Sequence, residues 1–176
     1  MFLRSQAFKG YKYSTIDYIN FIQGGKTSHG VSFEEIMSYT DRQLEYDHQF
    51  IQWIFPLDTP SMFNADAPII NLQELSNFPA AKSAIVRSSD KLTTFWGINT
   101  DAVNRERIRL LDGHNGLRFS RYLQSMVYHK EDEIAEKVLR RVLNNLDILS
   151  PSLGKSGKTL WEELFLEARE KMRKLE

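Results

Sequence analysis

An all-α fold is what this sequence predicts, and three observations carry the prediction. The first is Leu44 to Pro56, L-E-Y-D-H-Q-F-I-Q-W-I-F-P, which at helical spacing is apolar in most directions. The second is a recurring helix-start signature, a Ser, Thr or Asn followed three residues later by Glu or Gln. The third is negative: no stretch alternates apolar and polar residues over strand length between hairpin turn signals. Together they predict one domain over residues 1–176, a bundle of about seven to nine helices, several of them short. It is built around a buried central helix at about 41–55.

The elements follow in order. Phe2, Leu3, Phe8, Tyr11 and Tyr13 lack a helical period, so residues 1–14 read as an irregular arm packing its aromatics on the domain. Ser14 can cap a helix over Thr15 to Gln23, stopped by Gly24-Gly25. Ser32-Phe33-Glu34-Glu35 opens a short helix to about Tyr39. Thr40-Asp41-Arg42-Gln43 opens the central helix, with Tyr39 and Leu44 placed as a hydrophobic staple. Its main polar stripe is narrow (Glu45, Gln49 and Gln52), and Pro56 ends it by forcing Phe55 out of the α region.

Residues 56–70 hold three prolines and form an irregular stretch, expected to pack its apolar side chains across the core. Asn71-Leu72-Gln73-Glu74 starts a helix to about Phe78, and Pro79 suits the first turn of the next, which Gly97 closes. Residues 100–111 read as a helix broken by Asp112-Gly113. Asn115 is placed to cap a helix over 116–129, and 131–146 is amphipathic. Residues 150–158 read as a linker, after which a capping box at Thr159 opens a last helix.

Bulk properties narrow the function. Lys plus Arg and Asp plus Glu are both 23, so global charge argues against nucleic acid as a partner. The absence of Cys removes disulfides, thiolate zinc sites and a Cys nucleophile. The four His are scattered, so no metal site or cofactor is expected. No run is long and apolar enough for a signal peptide or a membrane span, and the cytoplasm is the expected location.

Residues 44–57, L-E-Y-D-H-Q-F-I-Q-W-I-F-P-L, resemble the signature of the domain shared by opioid growth factor receptors. The likeness continues through Pro60-Ser61, Asn64 and Ala67-Pro68. It resumes at His114 to Leu123, which is similar to the family's H-N-x-L-R-x-x-R pattern, and it covers about 30–130. A looser likeness runs from Gly30 to Ile36. The resemblance implies an all-α domain. In animal members it implies binding of a pentapeptide opioid growth factor, at the nuclear envelope and nucleus. Those members carry a long, charged, repetitive tail, whereas this chain is expected to be a single-domain member ending in an amphipathic helix. The family supplies no catalytic residues to carry over.

The residues themselves offer a binding site at the start of the helix after Gly113. His114 and Asn115 lie beside free backbone amides, and Arg118 and Arg121 occupy the first two turns. Amides and guanidiniums together suit phosphate or carboxylate. The plainer reading pairs these arginines with the chain's own acids, with Asp47 as the structural partner because it falls on an apolar face. His48 and Trp53 form a supporting wall, although the two are more readily explained as a hydrogen-bonded histidine and a core indole.

Ser152 to Thr159, S-L-G-K-S-G-K-T, resembles a phosphate-binding loop without its first glycine, but it joins helices where that loop needs a preceding strand. Arg105, Arg107 and Arg109 alternate, which spreads their charge around a helix. The leading functional reading is a binding module for a small anionic ligand or a short peptide. A protein-interaction scaffold with no small-molecule site is second. An enzyme using His48 or His114 as acid–base is third.

Overall fold

The computed structural model describes residues 13–176, and most of the proposed N-terminal arm lies outside them. The described chain is all-helical: nine α-helices, two 3-10 helices and three isolated β-bridges. By its contacts it divides into two compact units, Met1–Ser88 and Ser89–Glu176.

In the first unit the helix starts are held by side chains that take up otherwise unbonded amides. Ahead of α1 (Thr15–Ile22), the Ser14 amide donates to Asp17 Oδ2 at 2.7 Å. Ser32 Oγ accepts from the Glu35 amide at the start of α2 (Phe33–Met37). Thr40 and Gln43 bond reciprocally at the start of α3 (Asp41–Tyr46). Asn71 Oδ1 takes the Gln73 and Glu74 amides of α5 (Leu72–Leu75).

The expected central helix is two short ones. α3 ends at Tyr46, and α4 runs only over Ile51–Ile54. The break is chemical: Asp47 Oδ1 accepts from the Gln49 amide at 2.8 Å, giving the backbone a local alternative to the helical ladder. The burial expected of the stretch holds at Leu44 and from Phe50 to Phe55, where Phe50, Ile51, Trp53, Ile54 and Phe55 are core residues, whereas Tyr46 is 70% exposed. Edge-to-face rings tie this core together. Phe21 meets Phe33 at 5.8 Å and Trp53 at 5.4 Å between centroids, and Tyr39 meets Phe50 at 5.6 Å. Parallel bridges join Ile69 to both Ser14 and Leu57.

The boundary between the units falls within α6 (Pro79–Phe95), which Gly97 follows with φ 73°. The helix expected over 100–111 is confined to a 3-10 turn, Arg107–Asp112. Asn104 accounts for the difference: its Oδ1 accepts from the Glu106 and Arg107 amides, an arrangement that starts helical structure only there.

In the second unit α7 (Asn115–Tyr128) packs against α8 (Asp132–Leu143), α9 (Pro151–Arg173) and the 3-10 turn. A second 3-10 turn, Leu146–Ile148, precedes α9. The residues read as a linker, 150–158, are the first turns of α9. Ser150 caps it, Pro151 occupies its first turn, and the Thr159 capping box lies mid-helix. Gly157 makes room within the helix: a Cβ there would lie 3.2 Å from the Trp161 ring. The stretch resembling a phosphate-binding loop is thus helical and follows no strand.

Gly116 is the tighter constraint. A Cβ at this position would stand 2.7 Å from the Leu111 carbonyl oxygen, on backbone that cannot swing aside. Gly116→Ala should therefore cost about 1–3 kcal/mol, the usual cost of overpacking. A urea midpoint unchanged from wild type would show that the 3-10 turn and α7 can separate freely.

Candidate functional site

The predicted site residues fall in both units, His48, Trp53 and Asp47 in the first and His114, Asn115, Arg118 and Arg121 in the second. Each group is described in its own unit.

In the first unit Asp47 anchors the break between α3 and α4 with both carboxylate oxygens. Tyr39 Oη donates to Oδ2 at 2.8 Å, and the Gln49 amide donates to Oδ1. Burial first, and the bond to Asp47 second, hold the Tyr39 hydroxyl well above the ordinary phenol range. His48 is exposed. Trp53 is 1% exposed, and its ring meets Tyr13 and Phe21 edge-on. Its indole Nε1 finds no hydrogen-bond acceptor among the described residues. An unmet buried donor of this kind costs about 1–3 kcal/mol.

Downstream, the irregular stretch after Pro56 is only partly buried. Leu57, Ala67 and Ile70 enter the core, but Met62 and Phe63 stay 95% and 76% exposed. Their backbone is nevertheless well held. Ser61 Oγ accepts from the Phe63 and Asn64 amides, each at 3.1 Å. Asn64 Nδ2 donates to the Gln49 carbonyl and to Gln52 Oε1, and Asn64 Oδ1 accepts from the Asp66 amide. Gln52, placed on the polar stripe from sequence, is buried and serves this loop. The pair Met62-Phe63 was not singled out from sequence. The signal was there in the turn chemistry of Pro60-Ser61 and Asn64, which commits the backbone before the apolar side chains can turn inward.

In the second unit α7 starts differently from the expectation. His114 is the cap residue, with helical backbone (φ −60°, ψ −20°) and no side-chain cap bond, and it is exposed. Asn115 is the first helical residue and is buried. Its Oδ1 accepts from the Trp96 indole at 3.1 Å and from Arg118 Nη1 at 3.4 Å. The physical reason is that Trp96 is fully buried and its N–H needs an acceptor, so the Asn115 amide is used there and not at the cap. Arg118 is 5% exposed and Arg121 half-buried. Burial pushes the Arg121 guanidinium down to about 9, still charged at neutral pH. The third tryptophan is satisfied as well, since Trp161 Nε1 donates to Ser120 Oγ and the Gly116 carbonyl.

The alternating arginines have separate tasks. Arg105 bonds Asp147 and Asn145, and Arg107 donates to the Phe95 carbonyl. Beside Val127, Leu166 and Met172 lies a groove of about 480 Å³, lined also by charged side chains of both signs. Among the described residues no group of His, Asp or Glu is placed to hold a metal ion. No helix among them is long and apolar enough to cross a membrane.

Comparison with known proteins bears on this arrangement directly. The family described as "Opioid growth factor receptor (OGFr) conserved region" matches residues 16–147. The chain belongs to that family. It is 36% identical to the opioid growth factor receptor of Mus musculus, over 47% of this chain and 15% of that protein. It is 32% identical to the Homo sapiens receptor, over 55% of this chain and 17% of that protein. It is 31% identical to opioid growth factor receptor-like protein 1 of Xenopus tropicalis, over 55% of this chain and 22% of that protein. The chain thus spans under a quarter of the length of these relatives. No solved structure matches. The family match takes in the Asp47 break, the Met62-Phe63 loop and the start of α7.

The lone indole N–H leads to one prediction. Trp53→Phe removes the unmet donor and keeps most of the ring, so it should cost less than about 1.5 kcal/mol. Trp53→Ala should cost about 3–5 kcal/mol. Equal urea midpoints for the two variants would mean that the N–H has a partner.

A second concerns alkaline pH. Burial raises the Tyr18 and Tyr122 hydroxyls far above their unfolded value near 10. Above that value the unfolded chain releases protons that the folded chain keeps, so stability falls as pH rises. The loss should reach about 1.4 kcal/mol per tyrosine at pH 11. Absorbance at 295 nm should show these two phenols ionising together with unfolding. Ionisation in the folded protein near pH 10 would contradict their burial.

Proposed function

We propose that this chain is a peptide-binding module whose contact surface is the apolar knuckle at Met62 and Phe63. The observation that carries this reading is that both side chains stand in water on a loop whose backbone is held by Ser61 and Asn64. Ordering backbone costs about 1–2 kcal/mol per residue, and here the order is not repaid by burying the two largest side chains of the loop. An apolar surface kept rigid and exposed is arranged for something else to cover it.

The family supports a peptide as that occupant, since relatives are named receptors for an opioid growth factor. The alternative site, an anion pocket at the start of α7, has less to support it. Asn115 and Arg118 are buried, and the Asn115 amide is already used by Trp96 and Arg118. Their chemistry suits a role in holding the second unit.

Two variants separate these readings in calorimetric titrations with an enkephalin-type pentapeptide. Met62→Ser combined with Phe63→Ser should leave the melting temperature within about 2 °C and weaken binding at least about tenfold, because exposed side chains contribute little to stability. Arg118→Ala removes a buried side chain bonded to Asn115 and should lose about 1–3 kcal/mol of stability. The reading is wrong if Arg118→Ala folds normally and abolishes binding while the double variant binds as before.

A further inference from the structure

We propose that Met62 is a redox modification site: oxidation of its thioether to the sulfoxide by a peroxide weakens peptide contact at the knuckle, and reduction restores it. The regulatory half of this inference rests on the knuckle being a peptide contact surface. The modification itself rests only on where the sulfur lies.

Sulfur chemistry in this chain is left to methionine, because there is no cysteine to react first. Of the five methionines, Met1 lies outside the described residues. Met126 is fully buried and Met37 and Met172 are half-buried, whereas Met62 is 95% exposed. Its loop keeps it so. Ser61 Oγ accepts from the Phe63 and Asn64 amides, and Asn64 is anchored to the Gln49 carbonyl. The thioether is therefore held out in water by bonds from the residues on either side of it. None of these bonds uses the Met62 side chain, so its oxidation leaves them in place.

The reaction balances with hydrogen peroxide alone. A sulfur lone pair attacks one peroxide oxygen, and the S–O bond forms as the O–O bond breaks. The hydroxide released takes the proton from the new S–OH group to give water. Sulfur loses two electrons and the peroxide gains them. A reductase supplied with a dithiol reverses the change, releasing the oxygen as water and leaving a disulfide in the reductant. The sulfoxide is a polar acceptor where a flexible apolar group stood. Covering it with an apolar peptide side chain strips water from that oxygen without replacing its hydrogen bonds. Phe63, 76% exposed, does not react with peroxide, so part of the apolar surface remains and binding is weakened, not abolished.

The full chain is treated with hydrogen peroxide, quenched with catalase at intervals and digested, and mass spectrometry follows the gain of one oxygen at each methionine. Met62 should be half-oxidised at least about tenfold sooner than Met126, and the two rates should converge in urea. Calorimetric titration with a methionine-free enkephalin-type pentapeptide then compares oxidised with untreated protein, near-ultraviolet circular dichroism confirming that both are folded. Oxidation should weaken binding about five- to tenfold, and a methionine sulfoxide reductase with its dithiol should restore it. Met62→Leu, compared only with its own untreated affinity, should show no change after the same exposure.

Oxidation of Met62 no faster than of Met126 overturns the modification site. Selective oxidation with unchanged pentapeptide affinity overturns the switch. An equal loss of affinity in oxidised Met62→Leu also overturns it, by assigning the effect to another residue. Failure of the untreated chain to bind the pentapeptide overturns the peptide reading and the switch with it, while the oxidation rates still decide the modification site by themselves.

Discussion

The hydrogen bond from the Trp96 indole to Asn115 Oδ1 fixes how α7 begins, and the second unit is arranged from that start. A fully buried indole cannot leave its N–H unmet without a cost of about 1–3 kcal/mol. The Asn115 amide meets it, so Asn115 enters the helix and the cap passes to His114. One residue later Gly116 brings α7 against the Leu111 carbonyl, and its own carbonyl takes the Trp161 indole. The aromatic rings then follow in register: Phe119 stacks on Tyr122 and meets Trp96 and Trp161 edge-on. Three consecutive features of the chain, an amide, a missing Cβ and a carbonyl, set the positions of two of its three tryptophans.

Set against this, the first unit is organised by a carboxylate. Asp47 stops α3, holds the Tyr39 hydroxyl and turns the chain into α4. Sequence periodicity showed correctly that Leu44, Phe50, Ile51, Trp53, Ile54 and Phe55 are buried, because burial depends on which residues are apolar, although Tyr46 stays exposed. It did not show the break, because a period-3.6 pattern with one polar interruption looks the same whether or not the interruption bonds to the backbone. Asp two residues before an exposed Gln was the available clue, and its meaning depends on a ψ of 119° that composition does not dictate. The same distinction explains the start of α9. Residues 150–158 read as a linker, but at Gly157 the Trp161 ring occupies the space that a side chain would need. Tertiary packing overrode a local preference worth about 1 kcal/mol per glycine.

Site residues were legible unevenly for a related reason. Arg118 and Asn115 were chosen because a helix start with cations attracts anions, and the sequence does bring them together. What it hides is that the acceptor serving Arg118 also serves the indole of Trp96, just past the end of α6 and nineteen residues before Asn115. Met62 and Phe63 lie in a proline-rich stretch whose apolar side chains the sequence predicts to pack across the core. Their exposure follows from Ser61 and Asn64 fixing the loop's backbone through short-range bonds, so the side chains point where the turn leaves them.

These two sites differ in what a ligand would have to do. At the start of α7 an incoming anion would compete with Asn115 for Arg118, which is 5% exposed, and any gain would be offset by the bond it replaced. At the knuckle nothing is displaced except water over apolar surface, and removing that water contributes about 25 cal/mol per Å². The loop is already ordered, so binding does not bear the usual cost of ordering it. A surface with these properties gains affinity from modest contact area. That combination suits recognition of a short segment better than recognition of a small anion.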